Sequence, residues 1–262
     1  MSTSCPARSQ PESSDQQTSG FLRHVYAVFR RQPWLYDIER DSMRLGYRRA
    51  AHLLLRIGAR FLAVRYRVFT RWPTTCELKL NLGCGRRPLP DWINVDISPF
   101  SGAEVFTDLR DRWPFDDCAA QAIYTRHCFE HFSEDELSRI ITQCYRVLAP
   151  GGKMRIGVPS LEVAVQKYRE GDFQFAARTN RYQSPGRKFC SYITDKGNHK
   201  IMLDYGYLTE LLAEAGFCKI VRMQGGTSGF VRTDQLAMGD CAEDWVTLYV
   251  ECEKPKTAEA TA

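Results

Sequence analysis

Leu78-Lys79-Leu80-Asn81-Leu82-Gly83-Cys84-Gly85 is the stretch that decides the fold. Its first five residues form a strand, and the two glycines that follow permit backbone angles closed to other residues and let a ligand approach the chain closely. A second strand, Trp92–Ile97, carries Asp96 at its end. In an open parallel sheet, ligands bind beyond the carboxyl ends of the strands, where both features fall. A carboxylate there can accept hydrogen bonds from both hydroxyls of a ribose, which marks a nucleoside site. A lone G-x-G also suits a plain tight turn.

The kind of nucleoside can be narrowed. A dinucleotide fingerprint needs a third glycine, where Pro88 stands, and an acidic residue about 20 positions on, whereas Asp96 follows Gly83 by 13. The chain has no G-x-x-x-x-G-K-[ST] phosphate loop. The cradle therefore suits a ligand without phosphates, and S-adenosylmethionine, a nucleoside with a sulfonium and an amino-acid tail, fits.

Further strands are predicted at Glu104–Thr107, Gln121–Thr125 and Lys153–Val158, with a last pair near Phe217–Met223 and Trp245–Cys252. Helices fall between them. One is opened by Ser133 with Glu136 three residues on, a capping box, and is stopped by Pro150-Gly151-Gly152. Others span Leu161–Arg169 and about Tyr207 to Glu214, while Phe173 to Asp204 reads as irregular, aromatic and basic. Strands alternating with helices predict a mostly parallel α/β sheet, with a final antiparallel pair.

The 262 residues are 44% hydrophobic and 26% charged, ordinary globular values that exclude a fibrous, collagenous or wholly disordered chain. The net charge of +5 is unevenly spread. Residues 21–73 hold 12 Arg and no Lys against Asp37, Glu39 and Asp41, so the remainder is acidic. Apolar residues at Leu45, Leu53, Ile57, Phe61, Val64 and Val68 form a helical stripe among those arginines. This layout predicts a tail at 1–20, a basic amphipathic helical extension at 21–73, an α/β domain at 74–254, and a tail at 255–262. The ten cysteines include no C-x-x-C pair, which reads as scattered reduced thiols rather than a disulfide or zinc framework. With no apolar run near 18 residues and a Ser/Gln/Pro-rich start, a cytoplasmic location is expected. Residues 45–70 offer a peripheral contact with the inner membrane face.

Three stretches, LNLGCGRRPLPDWINVDIS (80–98), TDLRDRWPFDDCAAQAIYTRHCFEHFSEDE (107–136) and RVLAPGGKMRIGVPS (146–160), resemble the class I S-adenosylmethionine-dependent methyltransferases. The likeness is greatest to type-11-like bacterial members often associated with sugar or cell-surface polysaccharide genes. It covers about residues 78–160, with a weaker echo in HKIMLDYGYLTELLAEAGF (199–217). The resemblance implies a Rossmann-like fold with a seven-stranded sheet, S-adenosylmethionine as cofactor, and a methyltransferase domain at 74–254 with an acceptor lid at 161–205. It implies that Asn81, Gly83 and Gly85 line the methionine part and that Asp96 binds the ribose, with Ile97 beside the adenine. Asp108 and Leu109 would hold the adenine edge, while Thr125, Arg126 and His127 face the methionine and the transferred methyl. Glu130-His131 is a family signature with a supporting role. One departure stands out: only seven residues separate Gly85 from Ile93, where longer family members place a full helix.

Methyl transfer gains mainly from positioning, but a hydroxyl acceptor must also lose its proton. His199 or His127 is the candidate base; His199 could instead cap a helix or order the lid. His127-Cys128-Phe129-Glu130-His131 also matches the H-x-x-E-H string of inverted zinc peptidases. Those enzymes carry it inside a long helix, whereas here it begins at a strand end, so no metal is expected. The expected acceptor is a small molecule or glycan, methylated on oxygen. Arg178, Arg181, Arg187 and Lys188 either grip an acidic acceptor or stand in a solvated loop. Two rival readings are a non-catalytic S-adenosylmethionine-binding partner subunit and a nucleic-acid methyltransferase steered by the Arg-rich helix; nothing else resembles a nucleic-acid motif. The short crossover leaves one sheet face under-covered, and the stripe at 45–70 is suited to pack there. Removing residues 1–73 should then give insoluble or molten protein, and a cooperative unfolding transition of the truncated chain would exclude that packing.

Overall fold

The crossover that follows Leu82 returns to the sheet as a second parallel strand without any helix. It does so because the Asn94 carboxamide spends its full hydrogen-bonding capacity on it. Asn94 Oδ1 accepts from the Leu89 backbone N–H at 2.8 Å and from Asn81 Nδ2 at 2.8 Å. Its Nδ2 donates to the Leu89 and Trp92 carbonyls at 3.1 and 3.0 Å. A parallel connection ordinarily takes a dozen or more residues and a helix, and here a buried amide does that work.

The computed structural model describes residues 77–98, 101–172, 182–231, 240–241 and 244–256. The tails, the basic extension with its stripe at 45–70, and Arg178 and Arg181 lie outside the described residues. The strands are β1 (Leu78–Leu82), β2 (Ile93–Asp96), β3 (Val105–Phe106), β4 (Ala120–Arg126), β5 (Leu148–Pro159), β6 (Cys218–Met223) and β7 (Thr247–Glu253). They form a seven-stranded Rossmann-like sheet in the order β3-β2-β1-β4-β5-β7-β6. Only β7 runs antiparallel to its neighbours. The helices are α1 (Glu134–Val147), α2 (Leu161–Glu170), α3 (Pro185–Thr194) and α4 (Tyr205–Glu214).

The two faces of the sheet differ. Alternate residues Leu80 and Leu82 of β1, Ile123 of β4, Met154, Ile156 and Val158 of β5, and Leu248 and Val250 of β7 share one apolar core with α1 and α4. Helix α1 supplies Leu137, Ile140, Ile141, Cys144 and Val147 at helical spacing, and Glu136 Oε2 accepts from the Ser133 N–H at 3.0 Å, as the capping box predicts.

The opposite face is polar. Strand register sets Asn94, Asn81, Tyr124, Arg155 and Glu251 in one row across five strands. Arg155 is fully buried and pairs with Asp240 at 2.9 Å and Glu251 at 3.0 Å. Asp240 also accepts from Tyr124 Oη at 3.0 Å and the Gly226 N–H at 2.9 Å. These bonds hold the loop after β6 over the sheet, where Phe230 and Val231 pack with Trp92, Ala122 and Tyr124.

Two expectations need correction. The irregular stretch at 173–204 contains α3, opened by Ser184 Oγ accepting from the Arg187 N–H at 3.2 Å, with Pro185 in the first turn. The Ser-Pro start is a helix signal, masked by Gly186 beside it. Helix α1 ends at Val147, where a stop before Pro150-Gly151-Gly152 is predicted, but the strand expected from Lys153 already begins at Leu148, so these three residues belong to a 12-residue β5. Gly151 takes φ +79° there, and the segment exchanges hydrogen bonds with Lys254 beyond β7 at 2.8 and 2.9 Å.

Replacing Asp240 with Ala should leave Arg155 Nε, the Tyr124 hydroxyl and the Gly226 N–H without their acceptor, with Glu251 alone to pair the guanidinium, and lower stability by about 3–5 kcal/mol. Urea denaturation of the variant checks this, and a loss under 1 kcal/mol would show that the loop is held by other contacts.

Candidate functional site

Gly83 and Gly85 both adopt left-handed backbone angles, with φ of +65° and +51°. The Gly83 N–H donates to the Val95 carbonyl at 2.8 Å, and the Gly85 N–H donates to Asp96 Oδ2 at 2.8 Å. Asp96 Oδ1 accepts from the Ser98 N–H at 2.8 Å. The carboxylate is thus fixed beside the turn at the carboxyl ends of β1 and β2. Burial raises the Asp96 carboxyl above the ordinary carboxylate value, and the backbone donors at Ser98 and Gly85 moderate the shift. The two glycines have different surroundings. A Cβ on Gly83 would run into Cys128 Sγ and Cβ, whereas one on Gly85 would meet nothing within 4 Å. Gly83 is needed for packing, and Gly85 faces open space beside Asp96.

Several candidate residues have other work. Asn81 is buried, and its Nδ2 donates to Asn94 Oδ1 and to the Arg87 carbonyl at 3.3 Å, so it braces the crossover. Asp108 is buried in a two-toothed pair with Arg110, whose Nε and Nη2 both approach at 2.8 Å. Leu109 places its side chain in the apolar core, and Thr125 is buried. Ile97 is half-buried just past β2. Arg126 Nε donates to Tyr249 Oη at 2.8 Å and Nη2 to Asp244 at 2.7 Å, which turns it toward β7.

His127 directly follows β4 and has φ +52°, a conformation a non-glycine residue takes at a cost and one that clusters at functional sites. Its N–H donates to the Gly157 carbonyl at 2.8 Å. Its Nε2 lies 3.2 Å from Thr247 Oγ1 and its Nδ1 3.3 Å from Glu130 Oε1. His199 approaches the same carboxylate oxygen at 4.0 Å, so the structure brings both candidate bases onto Glu130. Burial holds the His199 ring below the ordinary imidazole value, with Glu130 pulling the other way. Its Nδ1 lies 3.1 Å from the Ile193 carbonyl at the end of α3. Tyr192 of α3 has its phenol pushed up to about 12 by burial, with the charges of Asp244 and Glu130 adding to the rise.

The sequence reading missed Asn94, Asp244, Thr247 and Tyr249. The last three reach the site because β7 runs antiparallel, which sets its first residues beside the carboxyl ends of β4 and β5. No local motif announces this. In Arg187 the guanidinium stacks over the Tyr182 ring at 4.3 Å.

Residues 94–156 match the family model described as a methyltransferase domain. No curated protein matches the chain. Among solved structures, the chain is similar to a phosphoethanolamine N-methyltransferase 2 from Haemonchus contortus, at 14% identity and a TM-score of 0.43 over 74% of this chain. It spans 52%, about half, of that protein. An S-adenosylmethionine-dependent methyltransferase from Archaeoglobus fulgidus aligns at 14% identity and a TM-score of 0.42, over 75% of this chain and 94% of that one. One from Thermotoga maritima aligns at 16% and 0.43, over 83% and 98%. Among the described residues no helix is long and apolar enough to cross a membrane.

Gly83→Ala should destabilise the protein more than Gly85→Ala. The second costs only the left-handed backbone, about 1–2 kcal/mol, and the first adds the collision with Cys128. Chemical denaturation of both variants checks the order, and Cys128→Ala should restore part of the Gly83→Ala loss alone.

Proposed function

We propose that this chain binds S-adenosylmethionine at the Gly83–Gly85 turn and Asp96, and transfers its methyl group to oxygen of a sugar or another small polar acceptor. The observation that carries this is the left-handed glycine turn hydrogen-bonded to a carboxylate across the ends of two adjacent parallel strands, with no phosphate loop in the chain. The methyltransferase-domain match over 94–156 supports it.

The residues fit the cofactor. Asp96 keeps lone pairs beyond those used by Gly85 and Ser98, since an ionised carboxylate offers about four, so it can also accept from two ribose hydroxyls. Open space beside Gly85 gives the ligand room. When bound, the cofactor supplies a methyl group on positively charged sulfur, open to in-line displacement. The chain's own task is to position the acceptor. His127, Thr247 and Tyr192 gather where β4 ends and α3 approaches, and they can exchange hydrogen bonds with a hydroxyl-bearing acceptor. Helices α2 and α3 then stand on the acceptor side of the site.

Calorimetric titration of S-adenosylmethionine into the full chain tests the reading. Binding is expected in the micromolar range, weakened at least tenfold, about 1.4 kcal/mol, by Asp96→Ala. The ionised carboxylate is the form that accepts both hydroxyls. Because the Asp96 carboxyl lies above its ordinary value, affinity should hold at neutral pH. It should fall with acidification sooner than an ordinary carboxylate would predict, and Asp96→Asn should remove that dependence. Absence of binding by well-folded wild type, or unchanged binding by Asp96→Ala, would overturn the assignment. Product methylated on nitrogen would overturn the choice of oxygen.

A further inference from the structure

Glu130 carries a side chain that the fold has withdrawn from water and placed among histidines. Its side chain is 2% exposed and its Oε2 accepts no hydrogen bond. Oε1 faces two imidazoles, His127 Nδ1 at 3.3 Å and His199 Nε2 at 4.0 Å. A buried charge is costly unless it is paired or coordinates a metal.

The neighbouring histidines are already oriented. His199 Nδ1 lies 3.1 Å from the Ile193 carbonyl, and His131 Nδ1 lies 3.2 Å from the Asn198 carbonyl. A carbonyl can only accept, so in each neutral ring Nδ1 carries the hydrogen and Nε2 keeps the lone pair. Metal-binding histidines almost always donate their second ring N–H to such a partner, which fixes tautomer and ring orientation. One ligand atom from each of Glu130, His131 and His199 lies within 4.8 Å of the others. His199 stands 68 residues beyond His131 in the chain. It is brought there by the Glu130 carbonyl, which accepts from the Lys200 and Ile201 N–H groups at 2.8 and 3.4 Å.

We propose that Glu130, His131 and His199 bind one divalent transition-metal ion, as a two-histidine, one-carboxylate set with its remaining positions open. Two imidazoles with one carboxylate suit Zn, Co, Ni or Fe(II) and not the oxygen-seeking Mg or Ca. Bonds of about 2.0–2.2 Å require the three atoms to draw closer. His131 is exposed, so the ion can enter from solvent. The expectation of no metal rested on the H-x-x-E-H string lacking its long helix. The set assigned here takes only Glu130 and His131 from that string. The third ligand comes from the segment before α4, and His127 stays on Thr247.

The test uses the full chain, stripped with chelator. Zn²⁺ is titrated against a chromophoric competitor, and Co²⁺ is followed by visible absorption. We expect one ion per chain with a micromolar or tighter dissociation constant, weakened at least tenfold by His131→Ala and by Glu130→Gln. Because His131 is exposed, its removal leaves the core intact, and thermal unfolding of each variant verifies this. Cys190 is an exposed free thiol, and Cys190→Ser should leave the affinity unchanged. No ion held below millimolar concentration, equal affinity in both ligand variants, or a Co²⁺ spectrum dominated by thiolate charge transfer would overturn the proposal. The measurement needs neither S-adenosylmethionine nor acceptor, so its outcome is separate from that of the proposed function.

Discussion

The row of polar side chains Asn94–Asn81–Tyr124–Arg155–Glu251, with Asp240 bridging Tyr124 and Arg155, is the constraint on which the rest of the molecule leans. A parallel sheet with helices on both faces reads as near-continuous apolar strands. Here the crossover from β1 to β2 has no helix, and alternate residues on that face are polar or charged. Each is satisfied by its neighbours or by the loop after β6. Buried polar groups are costly when half-satisfied and specific when complete. The Arg155 fork reaches Asp240, Glu251 and the Gln224 carbonyl, and it stacks over the Tyr249 ring at 4.5 Å. One register of strand pairing is thereby selected.

That register sets the carboxyl end of β1 and β2. Asn94 and Asp96 stand two residues apart on β2, so the same strand that Asn94 anchors presents Asp96 at its tip. The brace from Asn81 to the Arg87 carbonyl ties down the loop that follows Gly85. Cys128 packs against Gly83 from the other side, which couples the glycine turn to the 3₁₀ turn at Phe129–His131. The glycine turn and the Glu130 cluster therefore share a boundary at Cys128.

The reversed strand β7 brings chemistry to β4 that the parallel strands do not carry. Thr247 meets His127, and Tyr249 with Asp244 engages Arg126. Helix α3 approaches from the chain segment between β5 and β6, adding Tyr192 and the carbonyl that orients His199. The region thus draws on widely separated stretches of sequence, each delivered by the end of a regular element.

The sequence by itself determined the strands and most of the helices, because periodicity, caps and glycine turns are local properties. Leu78–Leu82 with Gly83 and Gly85, the capping box at Ser133 and Glu136, and Asp96 at a strand tip are all legible within a few residues. Only the tertiary structure decided what the polar residues do. Asn81 is spent on Asn94, Asp108 on Arg110 and Arg126 on β7, because hydrogen-bond partners are chosen by strand register and loop path over separations as large as 123 residues. The joining of His199 to Glu130 is of the same kind. It depends on two backbone hydrogen bonds to the Glu130 carbonyl, and a backbone bond leaves no mark in side-chain composition.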